Sequence, residues 1–227
     1  MTAYEMLGTL RSASDLEEAV HRIGILPFFR NGIPGYSVEE HVPRDLWFTD
    51  LPGPWEWKGE VILDKSIAYG KFFEKKAAFV DVRWFPDLAN YRRDGYDFDA
   101  RYDDGLANRK DKTLYDLITA NEPVDTRTLK RKGDYRKGGS TGFDTSIVRL
   151  QMQGYILITD FVYAVSREGM PYGWGISRYA TPEQWLGQQF TDTVYSRTPE
   201  ESGQRLEAHL RELFPAEPDE RLSRFLG

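Results

Sequence analysis

Residues 121–180 read NEPVDTRTLKRKGDYRKGGSTGFDTSIVRLQMQGYILITDFVYAVSREGMPYGWGISRYA. The stretch is punctuated by helix starts, helix stops and turn chemistry. Asn121-Glu122-Pro123 ends one helix, because the residue before a proline is pushed out of the helical region. Asp125 offers a side-chain oxygen to the first amides of a second helix, which runs through Lys132. After a glycine-rich loop, Asp144 opens a third helix through Gln153, and Gly154 stops it. Tyr155-Ile156-Leu157-Ile158 has the aromatic and β-branched content of a strand. Arg167 through Pro171 forms the turn, and Trp174 through Tyr179 is the returning strand. Three helices followed by a β-hairpin predict a winged helix-turn-helix, with the third helix facing a DNA groove and the hairpin as its wing. The fold class expected is α+β, mostly helical.

Working outward, residues 106–121 suit the first of those helices, with Leu106, Leu114, Leu117 and Ile118 as its buried set. Phe85-Pro86-Asp87 begins an earlier helix that ends near Gly95. Ile67 to Trp84 is apolar and mixed; read as helix, it aligns Lys71, Lys75 and Lys76 along one side. Ser14-Asp15-Leu16-Glu17 has the capping-box pattern, and the helix after it would bury Leu16, Ala19, Val20 and Ile23 before Gly24. Residues 27–57, rich in Pro, Gly and Trp, predict an ordered loop with short helical turns. Thr181-Pro182-Glu183 and Thr198-Pro199-Glu200-Glu201 each place a capping threonine before proline and acids in a first turn. Two C-terminal helices follow, the second burying Leu206, Leu210, Leu213 and Phe214 against the winged-helix core. The division expected is a loop-rich N-terminal region or degenerate first winged helix at 1–64, a winged-helix core at 65–180, and C-terminal helices at 181–227.

The 227 residues carry 30 basic and 36 acidic side chains, a net charge of -6, and no cysteine. Lacking thiols, the chain has no disulfide scaffold, thiolate zinc site or cysteine nucleophile, and a reducing cytoplasm is expected. No stretch approaches the ~20 apolar residues that span a bilayer, so no membrane partner is expected. Overall acidity argues against wholesale coating of nucleic acid. The charge is uneven, however: residues 1–64 sum to -6, whereas residues 65–137 sum to +4. Arg127, Lys130, Arg131, Lys132, Arg136 and Lys137 face only Asp134 within eleven residues. That patch is either a solvated helix face or a phosphate-binding edge. With Gln153, an amide suited to adenine, these six residues are the expected DNA contacts.

Three segments, AYGKFFEKKAAFVDVRWFPDLANYRR, DLITANEPVDTRTLK and VRLQMQGYILITDF, together resemble the AlkZ-type DNA glycosylases. These are tandem winged-helix proteins that excise alkylated and crosslinked bases. The matching features are a helix carrying Ala77-Ala78-Phe79, then Trp84-Phe85-Pro86, the Arg92-Arg93 pair, a Pro-then-Thr entry to a short helix, and a helix-Gly-strand transition, within residues 65–180. The resemblance implies a DNA partner and N-glycosidic hydrolysis. In that family a Gln-apolar-Gln or Gln-apolar-Asp motif near the first winged helix positions water. The equivalent stretch here, Ile23 through Phe29, has no such pair. Gln151-Met152-Gln153 spells the motif but falls in the third helix of the later winged helix.

Excision chemistry needs a group that orients water or stabilises oxocarbenium charge. Glu39 and Glu40 beside His41 are the first candidates, then Asp45 and Asp50; the alternative for each is a surface group. Asp97, Asp99 and Asp103 have hard oxygens but not the calcium-loop spacing, and a network with Arg92, Arg93 and Arg101 explains them more simply. No metal or other cofactor is expected. Trp47, Trp55, Trp57 and Trp84 are either stacking surfaces for an extruded base or core staples. Besides a glycosylase-like protein, the sequence admits a non-catalytic winged-helix interaction or regulatory module, or a carboxylate-dependent hydrolase.

Overall fold

The computed structural model describes residues 3–48, 51–166, 169 and 171–227. In chain order the elements are α1 (Ala3–Leu7), α2 (Ala13–Ile23), β1 (Ile25–Pro27), α3 (Val38–His41), a 3-10 turn (Arg44–Leu46), α4 (Pro54–Glu60), β2 (Ile67–Phe73) and β3 (Lys76–Asp81). There follow α5 (Phe85–Arg93), α6 (Phe98–Asp103), α7 (Arg109–Thr119), β4 (Val124–Asp125), α8 (Thr126–Lys132), α9 (Phe143–Met152), β5 (Leu157–Val165) and β6 (Pro171–Ala180). The chain ends with α10 (Pro182–Leu186), α11 (Gln188–Thr191), α12 (Pro199–Leu213) and α13 (Asp219–Leu226). The protein is thus mixed α and β, rich in helix, with two small antiparallel sheets.

The two sheets have the same plan. One is ordered β1-β3-β2 and the other β4-β6-β5, so in each the last strand lies in the middle. In each the preceding elements run helix, strand, helix, helix, strand, strand: α2-β1-α3-α4-β2-β3 and α7-β4-α8-α9-β5-β6. The first sheet pairs Leu26 with Phe79 and Ala68 with Val80, so it draws on both sides of residue 64. The second pairs Val124 with Tyr179 and Leu157 with Ala180.

Residues 67–81 correct the sequence reading: they form a hairpin, not a helix carrying Ala77-Ala78-Phe79. Phe73 pairs with Lys76, leaving Glu74 and Lys75 as a two-residue turn with φ of 49° and 61°. Both central residues at positive φ is the conformation that matches strand twist. Its usual Asn-Gly signal is missing here, and β2 is covered on both faces, so polar and apolar residues do not alternate.

Capping explains most helix boundaries. In α2 the cap is Ser12, two residues before the predicted one: its Oγ accepts the Asp15 amide at 3.1 Å, and the Asp15 carboxylate accepts the Arg11 amide at 2.8 Å. Asp15 thereby does the work assigned to Glu17. The predicted stripe of Leu16, Ala19, Val20 and Ile23 is buried, and Gly24 closes the helix at φ 80°. Asn108 caps α7, so the helix starts after Leu106, which is 51% exposed instead of buried. Asp125 caps α8 as predicted, accepting the amides of Arg127 and Thr128. Gly142 occupies the N-cap of α9 at φ 93°, and Asp144 sits inside the first turn. Thr198 and Glu201 form a reciprocal capping box on α12.

One apolar cluster runs from Leu7 to Leu226. The C-terminal helices close it against α5 and also against the N-terminal elements. Gly203 of α12 lets the Tyr91 ring approach so closely that a Cβ there would lie 2.8 Å from it. Buried Asp87 of α5 accepts from Ser202 at 3.1 Å, from Arg197 at 3.3 Å and from Arg205. Phe214 packs on Tyr36 at 4.5 Å between centroids, and Phe225 stacks on Phe73 at 4.5 Å.

Candidate nucleic-acid interface

The predicted groove-facing helix, α9, is seated on β2 by its glutamine. Gln151 is buried; its oxygen accepts the Lys71 amide at 3.0 Å and its nitrogen donates to the Ile147 carbonyl at 2.9 Å. Gln153, two residues on, instead lines a groove of about 630 Å³ between α9, β2 and α5. Lys71, Lys75, Arg92 and Arg149 also line it, against the single acid Asp144. Arg149 is oriented by buried Asp111 at 2.7 Å, and burial lowers the pKa of Arg92, whose guanidinium lies over the Phe73 ring.

The cationic patch predicted from sequence continues this surface past Asp144. Lys130, Arg136 and Lys137 line a second concavity of about 320 Å³ that shares Asp144 with the first. Lys130 stands 3.6 Å from the Asp144 carboxylate and 4.8 Å over the Phe143 ring, while Arg136 pairs with Asp134 at 2.5 Å. Arg127, Arg131 and Lys132 are exposed on α8, and Lys132 donates to Asn121. Of the expected DNA contacts, Lys130, Arg136 and Lys137 line this second concavity and Gln153 lines the first, where the tertiary fold adds four cations from elsewhere. Lys71 and Lys75 were noticed in the sequence as a helical stripe; here they sit on a strand and a turn.

The candidate carboxylates are held in loop architecture. Glu39 accepts the Arg30 amide at 3.0 Å, and Glu40 accepts the Gly35 amide at 3.0 Å and the Ser37 hydroxyl at 2.7 Å. His41 bridges the Gly8 and Gly35 carbonyls at 2.6 and 2.9 Å. Asp45 is exposed on the 3-10 turn, and Asp50 lies outside the described residues.

The aspartate run does not form the expected network with the neighbouring arginines. Asp97 caps α6 and Asp99 pairs with Lys112 at 3.3 Å, whereas buried Arg93 reaches Glu183 at 2.6 Å. Among the described residues no cluster of three or more acids or histidines is placed to hold a metal. His21 links buried Asp81, 2.7 Å away, to the Ser66 hydroxyl at 3.3 Å. That hydroxyl also donates to Asp64 at 2.8 Å, and Arg83 caps Asp81, so the group serves to tie α2 to the first sheet.

A family model described as AlkZ related matches residues 10–227. The chain belongs to the AlkZ-related family. Comparison with curated proteins and with solved structures returned no match. The AlkZ-related match takes in the N- and C-terminal parts as well as residues 65–180, the span over which the resemblance was read. No helix among the described residues is long and apolar enough to cross a membrane.

The stretch Ile23 through Phe29, read from sequence as the equivalent of the family's water-orienting motif, runs from the end of α2 through β1. Pro27 pairs with Ala78 in the first sheet, and buried Phe28 meets Trp47 at 5.7 Å and Trp55 at 5.6 Å. The tertiary fold therefore gathers two of the four predicted stacking tryptophans. They line a pocket of about 280 Å³ with Phe48, Lys58 and Tyr163, between α4 and the β5–β6 hairpin. Lys58 was not singled out in the sequence, where a lone lysine following Trp57 gives no sign of burial. Trp57 is buried in the core, and Trp84 stacks on His209 at 3.9 Å, so both are staples.

Proposed function

We propose that this AlkZ-related protein binds double-stranded DNA as a tandem winged-helix protein. The observation that carries the reading is the continuous cationic surface around α9, from Lys71, Lys75, Arg92 and Arg149 to Lys130, Arg136 and Lys137. Clustered Lys and Arg neutralise phosphates and release counterions, and they do so locally even on a protein of net charge -6. The repeated element order supports two winged helices, spanning 13–81 and 109–180, joined by α5 and α6 and strapped by residues 182–227. We propose this division beside the one expected from sequence, a loop-rich region or degenerate first winged helix at 1–64 and a winged-helix core at 65–180. Exposed Arg127, Arg131 and Lys132 extend the phosphate-binding surface, and Gln153 faces the groove for base recognition. The absence of cysteine suits the cytoplasm.

Excision by the family's Gln-based water is not part of this reading, because Ile23 through Phe29 holds no Gln-apolar-Gln or Gln-apolar-Asp pair. Binding is tested by titrating a labelled duplex at several salt concentrations. Lys71→Ala/Lys75→Ala should weaken affinity and reduce the log-affinity against log-salt slope by about 0.9 for each phosphate that is no longer neutralised. No measurable duplex binding, or an unchanged slope, would remove the groove from the function.

A further inference from the structure

We propose that Lys58 is an amine nucleophile toward aldehydes, and that its substrate is the ring-opened sugar of an abasic site in DNA. The substrate class rests on the DNA-binding reading above; the nucleophile rests on the pocket. Lys58 projects from α4 into the cavity of about 280 Å³, with its Nζ 4.4 Å from the Phe161 ring centroid and 5.1 Å from that of Trp55. Among the described residues no carboxylate pairs with it within 4.0 Å. Burial lowers its pKa, opposed by Glu56 on the same helix. A lysine desolvated in an apolar pocket holds more of the neutral amine, which is the form that attacks carbonyls.

A second observation points to the substrate. Phe48 and Leu51 both lie at the same pocket and are 85% and 70% exposed, two apolar side chains forming one exposed edge. Apolar side chains of this kind wedge between base steps, at a cost in unstacking. An abasic site already lacks a base, so the ring fills an existing gap and brings the sugar toward the amine. On the hairpin side, Gly175 adds no side chain; a Cβ there would lie 2.9 Å from Phe161 and Tyr163.

In the step itself the Lys58 nitrogen bonds to C1′ of the open sugar. The carbonyl oxygen leaves as water with the two amine protons, giving an imine with no change in oxidation state. Hydrolysis by one water reverses it. Alternatively, loss of a C2′ proton expels the 3′ phosphate and cleaves the strand.

The test incubates the full chain with a 5′-labelled duplex carrying one abasic site in cyanoborohydride, whose hydride converts an imine to a stable secondary amine. A shifted protein–DNA band on a denaturing gel is expected, with the modification mapped to Lys58 by peptide mass. The band should be missing with an intact duplex or one whose abasic aldehyde was reduced beforehand. Lys58→Arg keeps the charge and bulk; it should lose the band at least about tenfold while duplex affinity is unchanged. Duplex binding without a band, a band mapped to another lysine, or a full band in Lys58→Arg would overturn the inference and leave the DNA reading intact. Failure to bind any duplex would overturn both.

Discussion

The side-chain oxygen of Gln151 accepts the backbone amide of Lys71 at 3.0 Å, across the junction between α9 and β2. A buried glutamine that satisfies a strand's amide is a structural tie, and this fixes the angle at which α9 meets the cationic groove. It also separates two glutamines that look alike in sequence: Gln151 faces inward and Gln153 lines the groove.

Gln151→Ala should therefore lower stability, since it removes the partner of the Lys71 amide at a part-buried junction. The expected loss is about 1 kcal/mol, the low end for a polar group left without its partner. Gln153→Ala should leave the urea midpoint within the scatter of wild type and act on duplex affinity instead. Equal midpoints for the two variants would contradict the division of roles.

Arg93 holds three segments together. Its guanidinium, 1% exposed, donates to Glu183 at 2.6 Å, to the Tyr195 hydroxyl at 3.0 Å and to the Gly154 carbonyl at 2.7 Å. Arg93→Ala should cost about 3 kcal/mol, the low end for a broken buried pair because Glu183 can turn to solvent. Denaturant unfolding measures this, and a loss under about 1 kcal/mol would show that the arginine is only a surface-type pair.

His209 makes stability depend on pH. Burial is the main cause lowering its pKa; the nearby charges of Arg205 and Arg83 act in the same direction, while the hydrogen bond to the Ile23 carbonyl and Glu212 oppose it. A histidine depressed in the folded state binds protons better when unfolded, so its contribution is present above about pH 6.5 and is lost as pH falls toward the folded value. His209→Gln retains a donor for Ile23 and removes the titration. Its stability against pH should be flatter just below pH 6.5, and parallel curves would exclude His209 as the source.

Gly24 meets two constraints at once. Its φ is 80°, and a Cβ would lie 2.5 Å from the Trp84 ring and 3.0 Å from His209. Gly24→Ala should destabilise by more than the ~1 kcal/mol of left-handed backbone alone, because the stacked pair must also move. Thermal unfolding of the variant is the check; a Tm equal to wild type would mean that the stack yields freely.

The cationic surface and the aromatic pocket differ in how far sequence revealed them. Six cations within residues 127–137 needed no structure to be noticed, since they are neighbours along the chain. Lys71, Lys75, Arg92 and Arg149 join them only because a strand, a turn and two helices converge. Lys58 and Tyr163 meet across a separation that no local pattern spans.

By itself the sequence determined the caps of α8, α10 and α12, the apolar stripe of α2, the second helix-rich motif with its hairpin, and the missing Gln pair between Ile23 and Phe29. These are short-range matters: a side chain reaching its own helix end, a period of 3.6, a residue type present or missing. Only the tertiary structure decided that residues 67–81 are a hairpin completing a first sheet with Ile25–Pro27. Strands covered on both faces lose the alternation that marks them, and the partner that covers them lies far along the chain. The same long-range packing made Gln151 a tie, left Gln153 in the groove, and placed Lys58 among aromatic rings.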